Sequence, residues 1–344
     1  MDKIFRSNNR IEEAYRDYID ILPLDLTKAS PEAKSYWYRN NQFGNVDFYR
    51  EIALLQNSKS LDEFVKKSSG DFDNLANIVG IALKQNIIKI VADGKIMKTF
   101  HFHFKKEKNC KATISSLLPK SSLNQFPCDD NSRSARYKFL KSRYPFAEYL
   151  KFGIIGEDDF LSTEFVNDSW AYPVIIEKDP RVVGTLKKLA ERFEIVEMDV
   201  CDFPSCKNLT SVQTFITDPP YTLDGSLAFI YAGVKMLKKD KEAKEFYVVL
   251  NPTMMGKKLF AIQKILADSG IYLIETISNF SQYQLPNNFN ERKRADKFLH
   301  NNSLNSKMLH YSSSSNLYIF RTTSPDLNNL KKQIDYKKIY EHYL

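Results

Sequence analysis

The stretch TFITDPPYTLDG, residues 214–225, gives the first indication of the fold. It begins with a run of β-branched and aromatic residues, 214–217, which ends directly at an acid, two prolines and a tyrosine. Such a run is typical of a short buried strand, and proline lacks the backbone N–H that a further strand residue would need. The stretch therefore predicts a strand that stops at Asp218, followed by a rigid loop that holds Tyr221 beside that carboxylate.

From Tyr149 onward, short apolar runs alternate with helical segments. The predicted strands are 151–155, 173–177, 194–200, 214–217, 246–250, 271–277 and 316–321. This alternation is typical of a parallel sheet that is covered on both faces. It predicts a doubly wound, Rossmann-like α/β domain, whose ligand would lie beyond the carboxyl ends of the strands, where the strand order reverses.

The first predicted strand is followed by GEDD, residues 156–159. Dinucleotide and S-adenosylmethionine folds often have G-x-G here, whereas this chain has Gly156 alone, followed by Glu157, Asp158 and Asp159. Carboxylates at this place would repel a pyrophosphate and attract a cationic sulfonium. We therefore expect S-adenosylmethionine, or its decarboxylated form, as co-substrate rather than NAD. The alternative is an exposed acidic turn that caps the next helix.

Acids also follow the next three strands. Glu177 lies about as far along the sequence from Gly156 as the acid that hydrogen-bonds the ribose hydroxyls in such folds. Asp199 would accept a hydrogen bond from an adenine amino group, and a surface acid is an equally good reading of it. Asp218 would hold the nucleophile or the donor, while Tyr221 packs on it or on the cation.

The N-terminal part predicts a different module. Residues 47–56, 60–69 and 71–86 predict three helices that open with Asp or Ser, and residues 87–104 predict two strands around an Asp93-Gly94 turn. Three helices and a hairpin follow the order of a winged helix, which often binds nucleic acid through its third helix. Because the predicted third helix has one lysine and no arginine, we favour a packing or dimerising module.

Composition limits the remaining function classes. No apolar run approaches the length of a membrane span, and the N-terminus lacks the apolar core of a signal peptide, so we expect a cytoplasmic protein. His101 and His103 alternate as in a strand and indicate no metal site. The cysteines form no CxxC pair and have no histidine at zinc-ligand spacing, so we expect reduced thiols and no metal at Cys110, Cys128, Cys201 and Cys206.

Three motifs together resemble one enzyme family. They are GEDD at 156–159, FITDPP at 215–220 and NFSQY at 279–283. In these motifs residues 126–323 are similar to the branched-chain polyamine synthase family, whose members transfer aminopropyl groups from decarboxylated S-adenosylmethionine to a polyamine nitrogen. The resemblance implies a winged helix ahead of a Rossmann-like catalytic domain. It also implies that the third motif binds substrate through Asn279, Phe280 and Tyr283.

Residues 126–143 depart from the family. They keep two acids but add five cations, Arg133, Arg136, Lys138, Lys141 and Arg143, in a chain of net charge +8. Cations this close together suit a phosphate better than a polyamine. We therefore interpret the chain as a 3-amino-3-carboxypropyl transferase that acts on a phosphate-bearing peptide-nucleotide, as in microcin C-type antibiotic biosynthesis. A separate decarboxylase would finish the aminopropyl group. The acceptor would contact Asp129, Asp130, Arg133 and Arg136.

In this reaction the acceptor attacks the carbon beside the sulfonium, and methylthioadenosine leaves. A phosphate acceptor needs no base, whereas an amine must lose a proton to Asp218 or Asp159. These two acids and Tyr221 are the candidate catalytic residues. The candidate cofactor-binding residues are Gly156, Glu157, Asp158, Glu177, Asp199, Pro219 and Pro220.

Other functions stay open at this point. One is a polyamine aminopropyltransferase that uses decarboxylated S-adenosylmethionine, and a second is a methyltransferase of base amines in nucleic acid, since D-P-P-Y also occurs there. A regulator that only senses an adenosyl ligand is the non-enzyme alternative. We expect no membrane partner and do not favour nucleic acid, while a homodimer stays open. The predicted domains are a helical extension (1–45), a winged-helix-like domain (46–120) and a catalytic domain (121–344).

Overall fold

The computed structural model describes residues 9–20, 30, 45–68, 72–99, 117, 119–120, 123, 125–166, 168–189, 193–206, 209–240, 242–284, 290–303 and 312–340. The chain divides into two compact units. One comprises Met1–Lys105 and Phe139–Glu148, and the other comprises Lys106–Lys138 and Tyr149–Leu344. The three-domain division stays a prediction, and His101, His103 and Cys110 lie outside the described residues.

Helices and a small hairpin form the described part of the first unit. The helices are α1 (Asn9–Asp20), α2 (Asn45–Asn57), α3 (Leu61–Lys67) and α4 (Phe72–Lys84); β1 (Ile88–Ile90) pairs antiparallel with β2 (Ile96–Lys98). Buried apolar side chains, among them Phe48 and Phe64, form its core. Three helices and a hairpin therefore occur in the predicted order, whereas the winged-helix assignment stays a prediction.

Local chemistry explains where these elements end. Ser60 caps α3, since its hydroxyl accepts a hydrogen bond from the Glu63 N–H at 3.2 Å, as serine commonly does at this position. Asp93 and Gly94, between β1 and β2, have φ angles of 63° and 68°. Aspartate and glycine are among the residues that tolerate this left-handed region, and the predicted turn is confirmed.

The second unit contains a seven-stranded sheet in the order β5-β4-β3-β6-β7-β9-β8. Its strands are β3 (Leu150–Ile155), β4 (Ala171–Glu177), β5 (Glu194–Glu197), β6 (Thr214–Thr217), β7 (Lys244–Leu250), β8 (Ile271–Gln284) and β9 (Ser312–Thr322). Five neighbouring strands of this sheet, β5, β4, β3, β6 and β7, run parallel to one another. Strand order reverses between β3 and β6, so the predicted Rossmann-like α/β fold is confirmed.

Further helices precede, connect and follow these strands. They are α5 (Asp130–Arg143), α6 (Pro180–Leu189), α7 (Leu223–Met236), α8 (Pro252–Met255), α9 (Lys257–Asp268), α10 (Asn290–Asn301) and α11 (Leu327–Lys332). Almost every residue of α7 is buried. A Cβ on Gly233 of this helix would lie 2.2 Å from the Phe215 ring of β6. The glycine therefore allows the helix to approach the sheet closely.

The sheet differs from the prediction at β9, β8 and β5. β9 pairs antiparallel with both β7 and β8, so the sheet is not wholly parallel. β8 continues to Gln284 rather than ending at 277, through two register irregularities. The predicted strand 194–200 stops at Glu197, because Asp199 accepts a hydrogen bond from the Cys201 N–H at 2.9 Å and caps a 3-10 helix at Val200–Ser205.

Candidate active site

The carboxyl ends of β3 and β6 lie side by side where the strand order reverses. Ile155 pairs with Thr217, so the next residues, Gly156 and Asp218, stand where sheets of this type bind ligands. Gly156 has a φ of 80°, and a Cβ there would lie 3.0 Å from the Phe229 ring, which explains the glycine. A cleft opens at this point, lined by Leu123, Gln125, Gly156, Glu157, Asp158, Ile176, Glu177, Lys178, Met198, Val200, Asp218, Pro220, Phe229 and Tyr340.

The three acids that follow Gly156 have different surroundings. Glu157 is fully buried, and its Oε1 accepts a hydrogen bond from the Ser162 N–H at 2.6 Å. Its Oε2 makes no hydrogen bond in the described part of the chain. Asp158 lines the cleft and accepts from the Phe126 N–H at 2.8 Å, while Asp159 is 6% exposed. The loop turns inward, so the alternative of an exposed acidic turn is wrong.

Arg136 of α5 lies fully buried among polar groups. Its Nε donates to Ser281 Oγ at 2.7 Å, and its Nη1 donates to Asp159 Oδ2. Its Nη2 donates both to Asp218 Oδ2 and to the Tyr283 hydroxyl, each at 2.7 Å. Four hydrogen bonds and two carboxylates therefore engage this guanidinium, and it is not free to bind a phosphate.

The two carboxylate oxygens of Asp218 differ. Oδ2 accepts hydrogen bonds from Arg136 and from the Tyr283 hydroxyl. Oδ1 has the Tyr221 hydroxyl at 3.5 Å, and that hydroxyl lies closer, at 2.6 Å, to Ser315 Oγ. Asp218 also lines the cleft, so Oδ1 is the oxygen with hydrogen-bonding capacity left for a ligand.

Burial and mutual repulsion raise the pKa of the acids around the cleft. Burial, and then the charge of Asp159, raise the pKa of Asp158 well above its ordinary range. Burial and Asp159 do the same to the pKa of Glu157. Burial also raises the pKa of Asp218, although Arg136 and Tyr283 oppose it. A cationic ligand would relieve this repulsion, because a nearby positive charge favours the ionised form of a carboxylate.

Glu177 ends β4 and holds the backbone of the loop that follows β3. Its Oε2 accepts a hydrogen bond from the Glu157 N–H at 2.8 Å. Its Oε1 accepts from the N–H groups of Lys178 and Asp179, at 2.9 and 2.7 Å. Glu177 also lines the cleft, as predicted from its spacing, and its role toward a ribose stays a prediction.

Asp199 belongs to a small polar cluster beside the same end of the cleft. It accepts from Lys178 Nζ at 2.9 Å, and the Tyr340 hydroxyl lies 3.4 Å from its Oδ1. Lys178 Nζ lies 3.8 Å from the centre of the Tyr340 ring. Although burial opposes it, hydrogen bonds from the Cys201 N–H and from Lys178 hold the pKa of Asp199 below its ordinary value. Asp199 is thus already paired with a cation.

Several other candidate residues hold local structure. Asp129 caps α5 by accepting from the Ser132 N–H at 2.7 Å. The exposed Asp130 pairs with Arg133 at 3.0 Å, and Arg133 pairs on its other side with Glu164 at 3.2 Å. These contacts contradict the premise that Arg133 and Arg136 form a free cationic patch.

The third motif is divided between the buried contacts of Asp218 and the surface. Tyr283 is buried and bonds to Asp218. Asn279 is exposed, has a φ of 53°, and accepts a hydrogen bond from Ser314 Oγ at 3.1 Å within the irregular part of β8. Phe280 is half-buried in the same segment. Of the two prolines, Pro220 lines the cleft and Pro219 is buried behind it.

Sequence reasoning missed some residues of the site. Ser281 was not singled out although it lies between motif positions, and its hydroxyl receives Arg136. Cys128 is a free thiol, as expected, and its Sγ lies 3.4 Å from Asp159 Oδ2, a contact that no sequence pattern reports. Tyr340 and Lys178 carry no motif, and Tyr340 is far along the chain from the strand ends, so only the fold brings them to the cleft.

Two general expectations concern membranes and metals. Among the described residues, no helix is both long and apolar enough to cross a bilayer. In the same ranges, no three His, Cys, Asp or Glu side chains are arranged to hold a metal ion.

Comparison with known proteins gives consistent matches. The family model described as the branched-chain polyamine synthase A C-terminal domain matches residues 129–341. An N(4)-bis(aminopropyl)spermidine synthase of Methanocaldococcus jannaschii is 22% identical over 244 residues, 69% of this chain and 68% of that protein. A protein of the same name from Thermococcus kodakarensis is 24% identical over 136 residues, 38% of this chain and 39% of that protein.

One solved structure is similar at a low level. It is the C9 mutein of the branched-chain polyamine synthase of Thermus thermophilus, in complex with N4-aminopropylspermidine and 5'-methylthioadenosine. Its TM-score is 0.48 and its sequence identity 18%, over 85% of this chain and 91% of that one.

These matches bear on the two acceptor hypotheses. The names of the relatives support the polyamine aminopropyltransferase, which was the alternative, over the preferred peptide-nucleotide acceptor. The predicted enzyme class, a transferase of alkyl groups other than methyl, is confirmed. Because this family model matches more than half of the 344 residues of the chain, the chain belongs to the branched-chain polyamine synthase family.

Proposed function

We propose that this protein transfers an aminopropyl group from decarboxylated S-adenosylmethionine to an amine nitrogen of a polyamine, with release of methylthioadenosine. The observation that carries the proposal is the charge of the cleft. Four carboxylates line it, those of Glu157, Asp158, Glu177 and Asp218. Among the described lining residues the cation is Lys178, which is paired with Asp199. A cleft of this charge suits a sulfonium and an ammonium.

The donor would lie with its adenosyl part at the β4 and β5 ends. Met198 and Val200 give that end of the cleft apolar walls, and Tyr340 adds an aromatic ring. Gly156 lets the backbone approach the ligand. In this placement the sulfonium and its propyl arm point toward Asp158 and Asp218.

The decarboxylated form of the donor fits these surroundings better than the intact form. The α-carboxylate of S-adenosylmethionine would stand among carboxylates, with repulsion at every short distance. The guanidinium of Arg136, which contacts the cleft residue Asp218, is already engaged by Asp159 and Asp218. The same reasoning applies to a phosphate acceptor, so we propose a polyamine, with a separate decarboxylase as the source of the donor.

The chemistry needs alignment more than covalent catalysis. The amine nitrogen attacks the carbon beside the sulfonium while the carbon–sulfur bond breaks, and neutral methylthioadenosine leaves. Holding both reactants in line can lower the barrier by roughly 7–11 kcal/mol. A carboxylate must first accept the proton of the ammonium, which contributes roughly 100- to 10,000-fold.

The test is a product analysis with the purified full-length protein. We expect decarboxylated S-adenosylmethionine and spermidine to give methylthioadenosine and a spermidine that has gained aminopropyl groups, as measured by liquid chromatography and mass spectrometry. Parallel reactions replace the donor by intact S-adenosylmethionine or omit the amine. An aminocarboxypropyl product would contradict the proposed donor, and S-adenosylhomocysteine would indicate methyl transfer. Absence of methylthioadenosine from every reaction would overturn the proposal.

A further inference from the structure

Arg136 joins three separate parts of the described site. From α5 it reaches Asp159 in the loop after β3, Asp218 after β6, and Ser281 and Tyr283 on β8. Its side chain is 2% exposed. It is not among the residues that line the cleft, so it would act on a ligand through the carboxylates that it holds.

The contacts of Arg136 divide the carboxylates of the site into two kinds. Asp159 is engaged at both oxygens, because Oδ2 accepts from Arg136 and from the Cys128 thiol, and Oδ1 accepts from the Leu161 N–H at 3.1 Å. It is also absent from the residues that line the cleft. Asp218 is held by Arg136 at Oδ2, its Oδ1 has the Tyr221 hydroxyl at the longer distance of 3.5 Å, and it borders the cleft. Charge-assisted hydrogen bonds from a guanidinium fix the plane of a carboxylate, and this plane decides where Asp218 Oδ1 points.

We propose that Arg136 is a positioning residue for aminopropyl transfer, which holds Asp218 so that its Oδ1 accepts the proton of the acceptor amine. The inference rests on the proposed function and names the base in it. Asp159 then serves as the counter-charge of Arg136 rather than as a base.

The proton step is balanced without any other reactant. The acceptor enters as an ammonium, and its proton passes to Asp218 Oδ1. The freed lone pair forms the carbon–nitrogen bond, and the electrons of the broken carbon–sulfur bond neutralise the sulfonium. The new amine is formed as an ammonium, and the Asp218 proton is lost to solvent when products leave.

Charged and titratable groups surround Asp218 on several sides. Arg136 and Tyr283 bond to it, and Tyr221 lies next to it in its own loop. Asp158, Asp159 and Cys128 interact with it electrostatically. Among these neighbours Arg136 is the cation, so its removal should make Asp218 harder to ionise.

The experiment compares Arg136→Met and Arg136→Lys with the wild type, using decarboxylated S-adenosylmethionine and spermidine from pH 5 to pH 9. We expect Arg136→Met to lower kcat roughly 100-fold or more, with the donor KM within about threefold. Because Asp218 must be ionised to act, the acidic limb of kcat should move to higher pH. Arg136→Lys should restore part of kcat, since an ammonium keeps the charge but not the forked geometry.

A control separates positioning from a general loss of stability. Arg321 forms another buried pair in the same unit, with Glu245 at 3.2 Å, away from the cleft lining. Arg321→Met should lower the unfolding temperature while kcat and its acidic limb stay unchanged. If Arg136→Met does not fold, the Lys variant alone decides through its pH profile.

The outcomes distinguish this inference from the proposed function. An active wild type with an unshifted acidic limb and near wild-type kcat in the folded Arg136 variants would overturn the positioning role alone. An inactive wild type would overturn the proposed function instead.

Discussion

The acidic loop 156–159 and the basic helix α5 are both short, strongly charged segments, but the charges converge in the loop and are dispersed on the helix. The loop directly follows β3, so the backbone has little freedom and its carboxylates crowd around one cleft. On α5 the charges are spread around a helix. Arg136 is buried against two of the site's acids, Arg133 pairs with Glu164, and Lys138 is exposed. Charge density in the sequence therefore indicates a ligand only where the backbone makes the charges converge.

The largest expected effect is at the acid that faces the cleft. Asp218→Asn keeps the shape of the side chain but removes the proton acceptor. We expect kcat for aminopropyl transfer to fall roughly 100- to 10,000-fold, with the donor KM changed much less. Steady-state kinetics with release of methylthioadenosine as the readout check this, and circular dichroism controls for folding. A kcat within tenfold of wild type would show that another group accepts the proton.

The next effect concerns the other end of the cleft, away from both charged segments. Tyr340 lines the cleft, and its ring lies against Lys178 Nζ. We expect Tyr340→Ala to raise the donor KM about three- to tenfold, the typical loss for one aromatic contact, and to leave the spermidine KM unchanged.

Tyr340→Phe is the matched control, because it keeps the ring and loses the hydroxyl that reaches Asp199. A donor KM close to wild type in the Phe variant assigns the effect to the ring. An unchanged donor KM in the Ala variant would place the adenosyl group elsewhere.

The same contrast explains which parts of the molecule the sequence could predict. The strand that ends at Asp218 and the loop that follows β3 were predictable, because each depends on residues that are adjacent in the chain. The contact between Arg136 and Asp218 joins positions 82 apart, and no local pattern reports it. The direction of β9 was missed for a similar reason, since an apolar run predicts a strand but not its orientation.

A smaller effect, on stability, should come from the buried acid of the loop. The folded protein raises the pKa of Glu157 above its ordinary value of 4.5. Below pH 4.5 the Glu157 carboxyl group is neutral in both the folded and the unfolded protein, so its ionisation does not lower the free energy of unfolding. As pH rises above that value, the unfolded chain releases the proton and the folded protein resists doing so, so stability falls.

Glu157→Gln removes this pH dependence. We expect the variant to gain stability relative to the wild type, by an amount that grows from pH 5 to pH 8 and reaches the order of 1 kcal/mol. Urea unfolding at several pH values measures it. A difference that does not grow with pH would mean that Glu157 is ionised in the folded protein.

The smallest effect is expected on the basic helix, and it tests the comparison most directly. Arg133 pairs with Asp130 and Glu164, neither of which lines the cleft. We expect Arg133→Met to change the spermidine KM less than twofold and to lower the free energy of unfolding by about 0.5–1 kcal/mol, as for a partly exposed ion pair. Kinetics and urea unfolding of the same preparation give both values. A tenfold change in KM would place this arginine in the acceptor site and show that α5 contacts the acceptor directly.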